Sequence, residues 1–258
     1  MPQNHPSPGG LPQNHPALPD RAPPMLRLSA GPFPAAGGLT GWAQELPLQG
    51  VTILAVEDSR FACEALRLMA RRAGARLRRA ETIEAARGHL RVYRPDVVMI
   101  DLGLPDGRGE VLIRDLVLSP RRPSVVMGMS GNPDGRAAAL AAGADGFLDK
   151  PLENVAQLCR ALRPHLPELD IHPPPITPSA PIAPDPLALR DDLAFAAAAL
   201  QGDPGADRQS YVSAFLTGIA AHAHDKGLAE AALASGDGPG LDRLRHELAA
   251  RLLPAGRV

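Results

Sequence analysis

Five short apolar runs mark the middle of the chain, with longer stretches of helical periodicity between them. The runs are VTILAV (51–56), ARLRRA (75–80), DVVMI (96–100), SVVMGM (124–129) and DGFL (145–148). Such runs are the pattern of parallel strands buried on both faces. The intervening segments 59–74, 82–93, 109–119 and 133–143, and a fifth at 152–166, read as helices. In the first of them Ala62, Ala65, Leu66, Met69, Ala70 and Ala73 share one face. Ser59, Thr82 and Pro133 stand at plausible helix starts, and Gly74 and Gly143 at plausible ends. Five alternating βα units with short loops predict an α/β domain over 50–166, built on a five-stranded doubly wound parallel sheet.

Four of the five runs stop at a residue that can do chemistry. The first stops at Glu57-Asp58, the third at Asp101, the fourth at Ser130 and the fifth near Lys150-Pro151. Open α/β sheets bind ligands at the carboxyl ends of their strands. Three carboxylates, one hydroxyl and one ammonium are therefore expected on one sheet edge. Unpaired carboxylates crowded together are costly. A hard cation such as Mg²⁺ resolves the crowding with one or two carboxylates plus waters and phosphate oxygens. Lys150 supplies a point charge for Asp101 or a phosphate, and Ser130 a hydroxyl for a phosphoryl oxygen. An aspartate so placed is a good phosphoryl acceptor, because positioning and charge neutralisation supply most of that catalysis. The second run lacks such a residue, as expected for an edge strand in the order 2-1-3-4-5.

The flanks differ in kind. Residues 1–49 form a Pro/Gly-rich segment, with PQNHP repeated at 2–6 and 12–16, and are predicted to be disordered. Residues 167–186 carry eight prolines and read as a semi-rigid linker. Residues 187–254 read as a small α-helical unit of four segments, with Leu187, Leu193, Phe195, Leu200, Tyr211, Phe215, Leu216 and Ile219 as its candidate core. A unit this small is marginal alone and is expected to need a partner or the first domain.

Composition narrows the classes. Net charge is −1, so nothing draws the whole chain to nucleic acid or anionic lipid. Residues 185–258 carry seven Arg/Lys against ten Asp/Glu, which speaks against a basic recognition helix. Cys63 and Cys159 are too few for a disulfide framework. No apolar run reaches membrane-spanning length, and the N-terminus lacks signal-peptide character. A cytoplasmic protein without nucleic-acid or membrane partners is the expectation.

Residues 51–165 resemble the receiver domain of two-component response regulators. VEDS (56–59) is similar to that family's acidic pair, MIDLGLPDGRG (99–109) to its phospho-acceptor loop, MSG (129–131) to its Ser/Thr step and FLDKP (147–151) to its aromatic and Lys-Pro step. The resemblance implies that Asp101 accepts a phosphoryl group from a histidine kinase or phosphotransfer protein. It implies Mg²⁺ held by Glu57, Asp58, Asp101 and the Gly103 carbonyl. Lys150 would pair with Asp101 and its phosphate, Ser130 would swing to the phosphate, and Phe147 would turn inward behind it. A cis Lys150-Pro151 bond is also implied. The face of the fourth helix, fifth strand and fifth helix would switch, and that face or the C-terminal helices would carry a homodimer.

Other readings compete at single positions. Asp106 reads as a turn residue, Ser130 as a helix cap, Phe147 as a static core aromatic. Gly128 and Gly131 are expected to loosen the loop after the fourth strand, and Gly103 to leave the acceptor open to water. The arginines at 67, 71, 72, 76, 78 and 79 read as a solvated basic face or as a dock for an acidic partner. AHAHDKG (221–227) is similar to a phosphotransfer motif, but neither His222 nor His224 stands at its spacing from Lys226. A metal-dependent phosphohydrolase with Asp101 as nucleophile, or a DNA-binding or phosphotransfer output in the C-terminal unit, are the alternative functions.

Overall fold

The computed structural model describes residues 46–168, 182 and 184–253. The stretch up to residue 45 and most of the Pro-rich linker lie outside the described residues. The elements are β1 (Thr52–Val56), α1 (Arg60–Arg72), β2 (Arg76–Ala80), α2 (Ile83–Val92), β3 (Val97–Asp101), β4 (Gly103–Leu104), β5 (Gly107–Arg108), α3 (Gly109–Val117), β6 (Val125–Ser130), α4 (Gly135–Ala141), β7 (Gly146–Asp149) and α5 (Val155–Leu162). Four further helices follow: α6 (Pro186–Ala199), α7 (Gly205–Ala223), α8 (Lys226–Leu233) and α9 (Gly238–Leu252).

Five parallel strands form one sheet in the order β2-β1-β3-β6-β7. Counted without the short β4–β5 pair, this is the expected 2-1-3-4-5 order. The two-residue strands β4 and β5 fold the segment after Asp101 into a small antiparallel hairpin, which the apolar pattern is too short to reveal. Side chains alternate cleanly between the faces. Ile53, Ala55, Val97, Met99 and Met127 pack under α1 and α5. Leu54, Val56, Val98, Ile100 and Val126 pack under α2, α3 and α4. The edge strand β2 is half exposed, which explains its three arginines.

Helix starts follow local chemistry. Ser59 and Thr82 accept hydrogen bonds from the amides of Ala62 and Ala85, satisfying donors that a helix cannot pair internally. α4 begins two residues later than Pro133 suggests, with Asp134 at its N-cap position. Gly74 and Gly143 end their helices at positive φ. Leu48, assigned from sequence to the segment before the domain, is fully buried in the core under α1. Its amide donates to the Ala73 carbonyl at 2.7 Å, so packing of the α/β domain begins before residue 50.

The last four helices enclose a separate core of Leu193, Ala196, Leu200, Val212, Leu216, Leu228, Ala231, Leu244 and Leu248. Leu187 and Phe195 are not in it; they are 66% and 49% exposed. Both lie on the outer face of α6, where periodicity alone cannot choose between two apolar stripes. This small bundle seats on the α/β domain, with Phe61 of α1 packed against Ala188 and Ile219.

Candidate functional site

Glu57 follows β1, β3 ends at Asp101, β6 at Ser130, and Lys150 follows β7, so the sheet edge brings these groups together as the sequence pattern suggests. Lys150 Nζ lies 2.5 Å from Glu57 Oε2 and 2.8 Å from Asp101 Oδ2. Carboxylate oxygens of Glu57, Asp58 and Asp101 all lie within 4.8 Å of one another. The Glu57 and Lys150 side chains are 1% and 9% exposed. Burial pushes Glu57 upward, helped by the neighbouring charges of Asp101 and Asp58 and opposed by Lys150. Burial also pushes Asp58 up, to about 6, against the hydrogen bond it receives from Tyr211. Burial disfavours the Lys150 ammonium, but Asp101 and Glu57 more than offset it and hold the group charged.

Glu57 and Asp101 thus share one ammonium, and the Asp58 carboxylate lies beside them. Hard carboxylate oxygens gathered this closely, with more negative than positive charge among them, fit a small divalent cation. Gly103 lies at the mouth of the same site. Its amide donates to Asp101 Oδ1 at 3.2 Å, and a Cβ there would meet nothing within 4 Å.

Ser130 Oγ accepts from the Asn132 amide at 3.1 Å, so the hydroxyl shapes the loop ahead of α4 without capping that helix. Phe147 is 7% exposed and turned into the core, with the Arg136 guanidinium 5.1 Å from its ring centroid. Gly128 does not loosen this region. A Cβ there would stand 2.5 Å from Ala139 Cβ and 3.3 Å from Phe147, so the glycine lets α4 and the aromatic close directly onto β6. The Lys150-Pro151 peptide is cis.

Residues that sequence reasoning passed over complete the site. Arg79, read as part of a basic face, donates from Nε to the Glu57 carbonyl at 2.9 Å and from Nη2 to the Asp58 carbonyl, and so pins the acidic turn. Asp106, read as a turn residue, also accepts from the Ile83 and Glu84 amides at 2.9 and 3.0 Å, tying the β4–β5 hairpin to the start of α2. From the C-terminal bundle, the Tyr211 hydroxyl donates to Asp58 Oδ2. Asp192 accepts from Ser59 Oγ at 2.7 Å and from the Arg60 and Phe61 amides, both at 3.0 Å. A cavity of about 710 Å³ opens over Asp101, with Ser213, Thr217, Gly218 and His222 of α7 as its outer wall. The carboxylate that Gly103 was expected to leave open to water is therefore roofed by α7.

His222 is mostly buried in that wall, and burial pushes it down to about 4. Its Nδ1 lies 3.0 Å from the Gly218 carbonyl, which fits a neutral ring donating there. A histidine that is neutral when folded, with an ordinary value of 6.5, stabilises fully above 6.5 and loses that contribution as pH falls toward 4. The loss amounts to at most about 3 kcal/mol. Urea unfolding across this range should show a steeper loss of stability for the wild type than for His222→Gln.

The comparisons with known proteins fall on this part of the chain. The response regulator receiver domain family model matches residues 53–163. The KDP operon transcriptional regulatory protein KdpE of Escherichia coli (strain K12) is 36% identical over 144 residues, covering 55% of this chain and 58% of that protein. Residues 53–163 are a response regulator receiver domain. The chain thus spans little more than half the length of that relative. Solved structures with similar backbones include a CheY-like response regulator receiver domain from Methylobacillus flagellatus, 26% identical, TM-score 0.41, covering 45% of this chain and 98% of that one. Another is the receiver domain of the sensor histidine kinase PA1611 from Pseudomonas aeruginosa PAO1, which holds a magnesium ion in its active-site cleft. It is 26% identical, with TM-score 0.42, and the match covers 46% of this chain and 98% of that one. Receiver domains take phosphate from histidine kinases and are not in general enzymes. KdpE is by name a transcriptional regulator, so this relative lends no support to the expectation that nucleic acid is absent among the partners. Among the described residues no helix is long and apolar enough to cross a membrane.

Proposed function

We propose that the receiver accepts a phosphoryl group on Asp101 from a histidine kinase or phosphotransfer protein, in a Mg²⁺-dependent reaction. The observation that carries this reading is the single ammonium of Lys150, shared between buried Glu57 and Asp101 at the end of the central strand. Glu57, Asp58 and Asp101, with the Gly103 carbonyl, would hold the cation. When bound, it would neutralise charge on the transferring phosphoryl oxygens. An Asp101 carboxylate oxygen attacks phosphorus, the P–N bond to the donor imidazole breaks, and its electron pair stays with that ring. Lys150 holds Asp101 in place and stabilises the added charge of about −1.5 to −2. Ser130 offers its hydroxyl to a phosphoryl oxygen, exchanging the Asn132 amide for it, and Phe147 packs behind the loop that moves.

The domain limits in this reading are a receiver over 50–166, joined by the linker 167–186 to a helical module over 187–254. The module carries the output, and the face of α4, β7 and α5 is the surface for a second copy. The test is phosphotransfer from autophosphorylated histidine kinases to the full chain. The wild type should be labelled by at least one kinase in the presence of Mg²⁺, and Asp101→Asn by none. Equal labelling of the two proteins would refute the assignment.

A further inference from the structure

The bundle α6–α9 sits on the edge that a charged acceptor site needs free. Two polar anchors hold it there, with an exposed ion pair between Arg60 and Asp191 beside them. The Asp192 carboxylate, 3% exposed, sits on the start of α1 and accepts from three donors, the Ser59 hydroxyl and the Arg60 and Phe61 amides. The Tyr211 hydroxyl donates to Asp58, one of the three carboxylates gathered at the cation site. Around these anchors Phe61 packs on Ala188 and Ile219, and the Tyr211 ring stacks on Phe215 at a centroid distance of 6.0 Å.

We propose that the C-terminal bundle is an intramolecular gate on the receiver, and that a divalent cation competes with it for Asp58 through the Tyr211 hydroxyl. The inference rests on the reading of Asp58 as a cation ligand. Mg²⁺ requires near-ideal octahedral oxygen coordination at about 2.0–2.1 Å and keeps several waters. A phenol hydrogen-bonded to Asp58 Oδ2 occupies one of the two oxygens that this carboxylate could offer to such a shell. Binding the ion therefore means breaking the Tyr211 contact, and seating α7 means excluding the ion. Once Tyr211 is displaced, the Asp192 anchor, the exposed Arg60–Asp191 ion pair and a small apolar contact remain, all at the start of α1, and the cavity wall over Asp101 can move away. A phosphodonor that presents its histidine on a folded protein needs that movement. A small donor fits the cavity of about 710 Å³ as it stands.

The coupling gives a measurable difference without any phosphorylation. Calorimetric Mg²⁺ titration of the full chain should show roughly threefold to tenfold tighter binding by Tyr211→Phe than by the wild type, the equivalent of one hydrogen bond removed from the competing state. In the wild type, saturating Mg²⁺ should raise amide exchange at Arg60 and Phe61, the donors released when Asp192 leaves. Equal affinities together with unchanged exchange at those amides would overturn the gate while leaving the cation site intact. Absence of Mg²⁺ binding by both proteins would overturn the cation reading, and the gate with it.

Discussion

Lys150→Met should sharply reduce phosphoryl acceptance and be among the most destabilising single changes in the chain. The ammonium lies between Glu57 Oε2 and Asp101 Oδ2, and the three side chains are 9%, 1% and 14% exposed. Methionine keeps most of the volume, so the effect is one of charge. Removing one partner of a buried ionic cluster leaves uncompensated carboxylates, which costs about 3–5 kcal/mol. Acceptance should fall on the order of 10²-fold or more, as when a preorganised donor to a developing charge is lost. The sign of the pH dependence separates this cause from simple loss of packing. In the variant the positive charge that opposes the upward push of burial on Glu57 is gone. A carboxyl whose folded value lies above its ordinary 4.5 stabilises below 4.5 and loses that contribution as pH rises. Urea unfolding should therefore show a larger penalty at pH 8 than at pH 5. A penalty independent of pH would point to packing alone.

The second large effect should come from a residue with no functional group. A Cβ on Gly109 would stand 2.1 Å from the carbonyl oxygen of Asp101 and 2.9 Å from Leu102 Cα. Both are backbone atoms, and neither can rotate away as a side-chain tip would. The Gly109 amide also donates to the Leu102 carbonyl at 3.1 Å, so the start of α3 is held against the strand that carries the acceptor. Gly109→Ala must push α3 from β3 or tilt Asp101. A cost of about 3 kcal/mol is expected, at the upper end for overpacking, with a fall in Tm of about 6–12 °C and a matching loss of acceptance. Gly103→Ala is the control. It has open space around its Cβ and should stay within about 0.5 kcal/mol of wild type. Equal Tm for wild type and Gly109→Ala would contradict the close approach of α3 to the acceptor strand.

These two positions show what a sequence can and cannot reveal here. Lys150, Glu57, Asp58, Asp101 and Ser130 were legible because each follows an apolar run, and parallel strands deliver their ends to one edge. Gly109 stood inside a recognisable loop, yet its role depends on a backbone approach that no pattern displays. Arg79 was hidden among five other arginines. What distinguishes it is its place on an edge strand beside the Glu57-Asp58 turn, with partners 21 and 22 residues away. Tyr211 and Asp192 were further out of reach. Their partners lie 153 and 133 residues earlier in the chain, and a tyrosine on an Ala-rich helix looks like core until the helix is docked. The same limit explains Leu187 and Phe195, which were assigned to a core because a helix of low amphipathicity does not announce its inner face. Gly128 was misread in the opposite direction, as looseness where the structure has a close contact.

The central claim is that Asp101 accepts a phosphoryl group with the help of a divalent cation. Its most direct test is the intact mass of the full chain after incubation with acetyl phosphate and Mg²⁺, followed by peptide mapping. The expected result is one phosphoryl group per chain, on Asp101, absent when Mg²⁺ is withheld and absent from Asp101→Asn. A wild-type mass that does not change with Mg²⁺ present, or a phosphoryl group mapped to any other residue, would contradict the account.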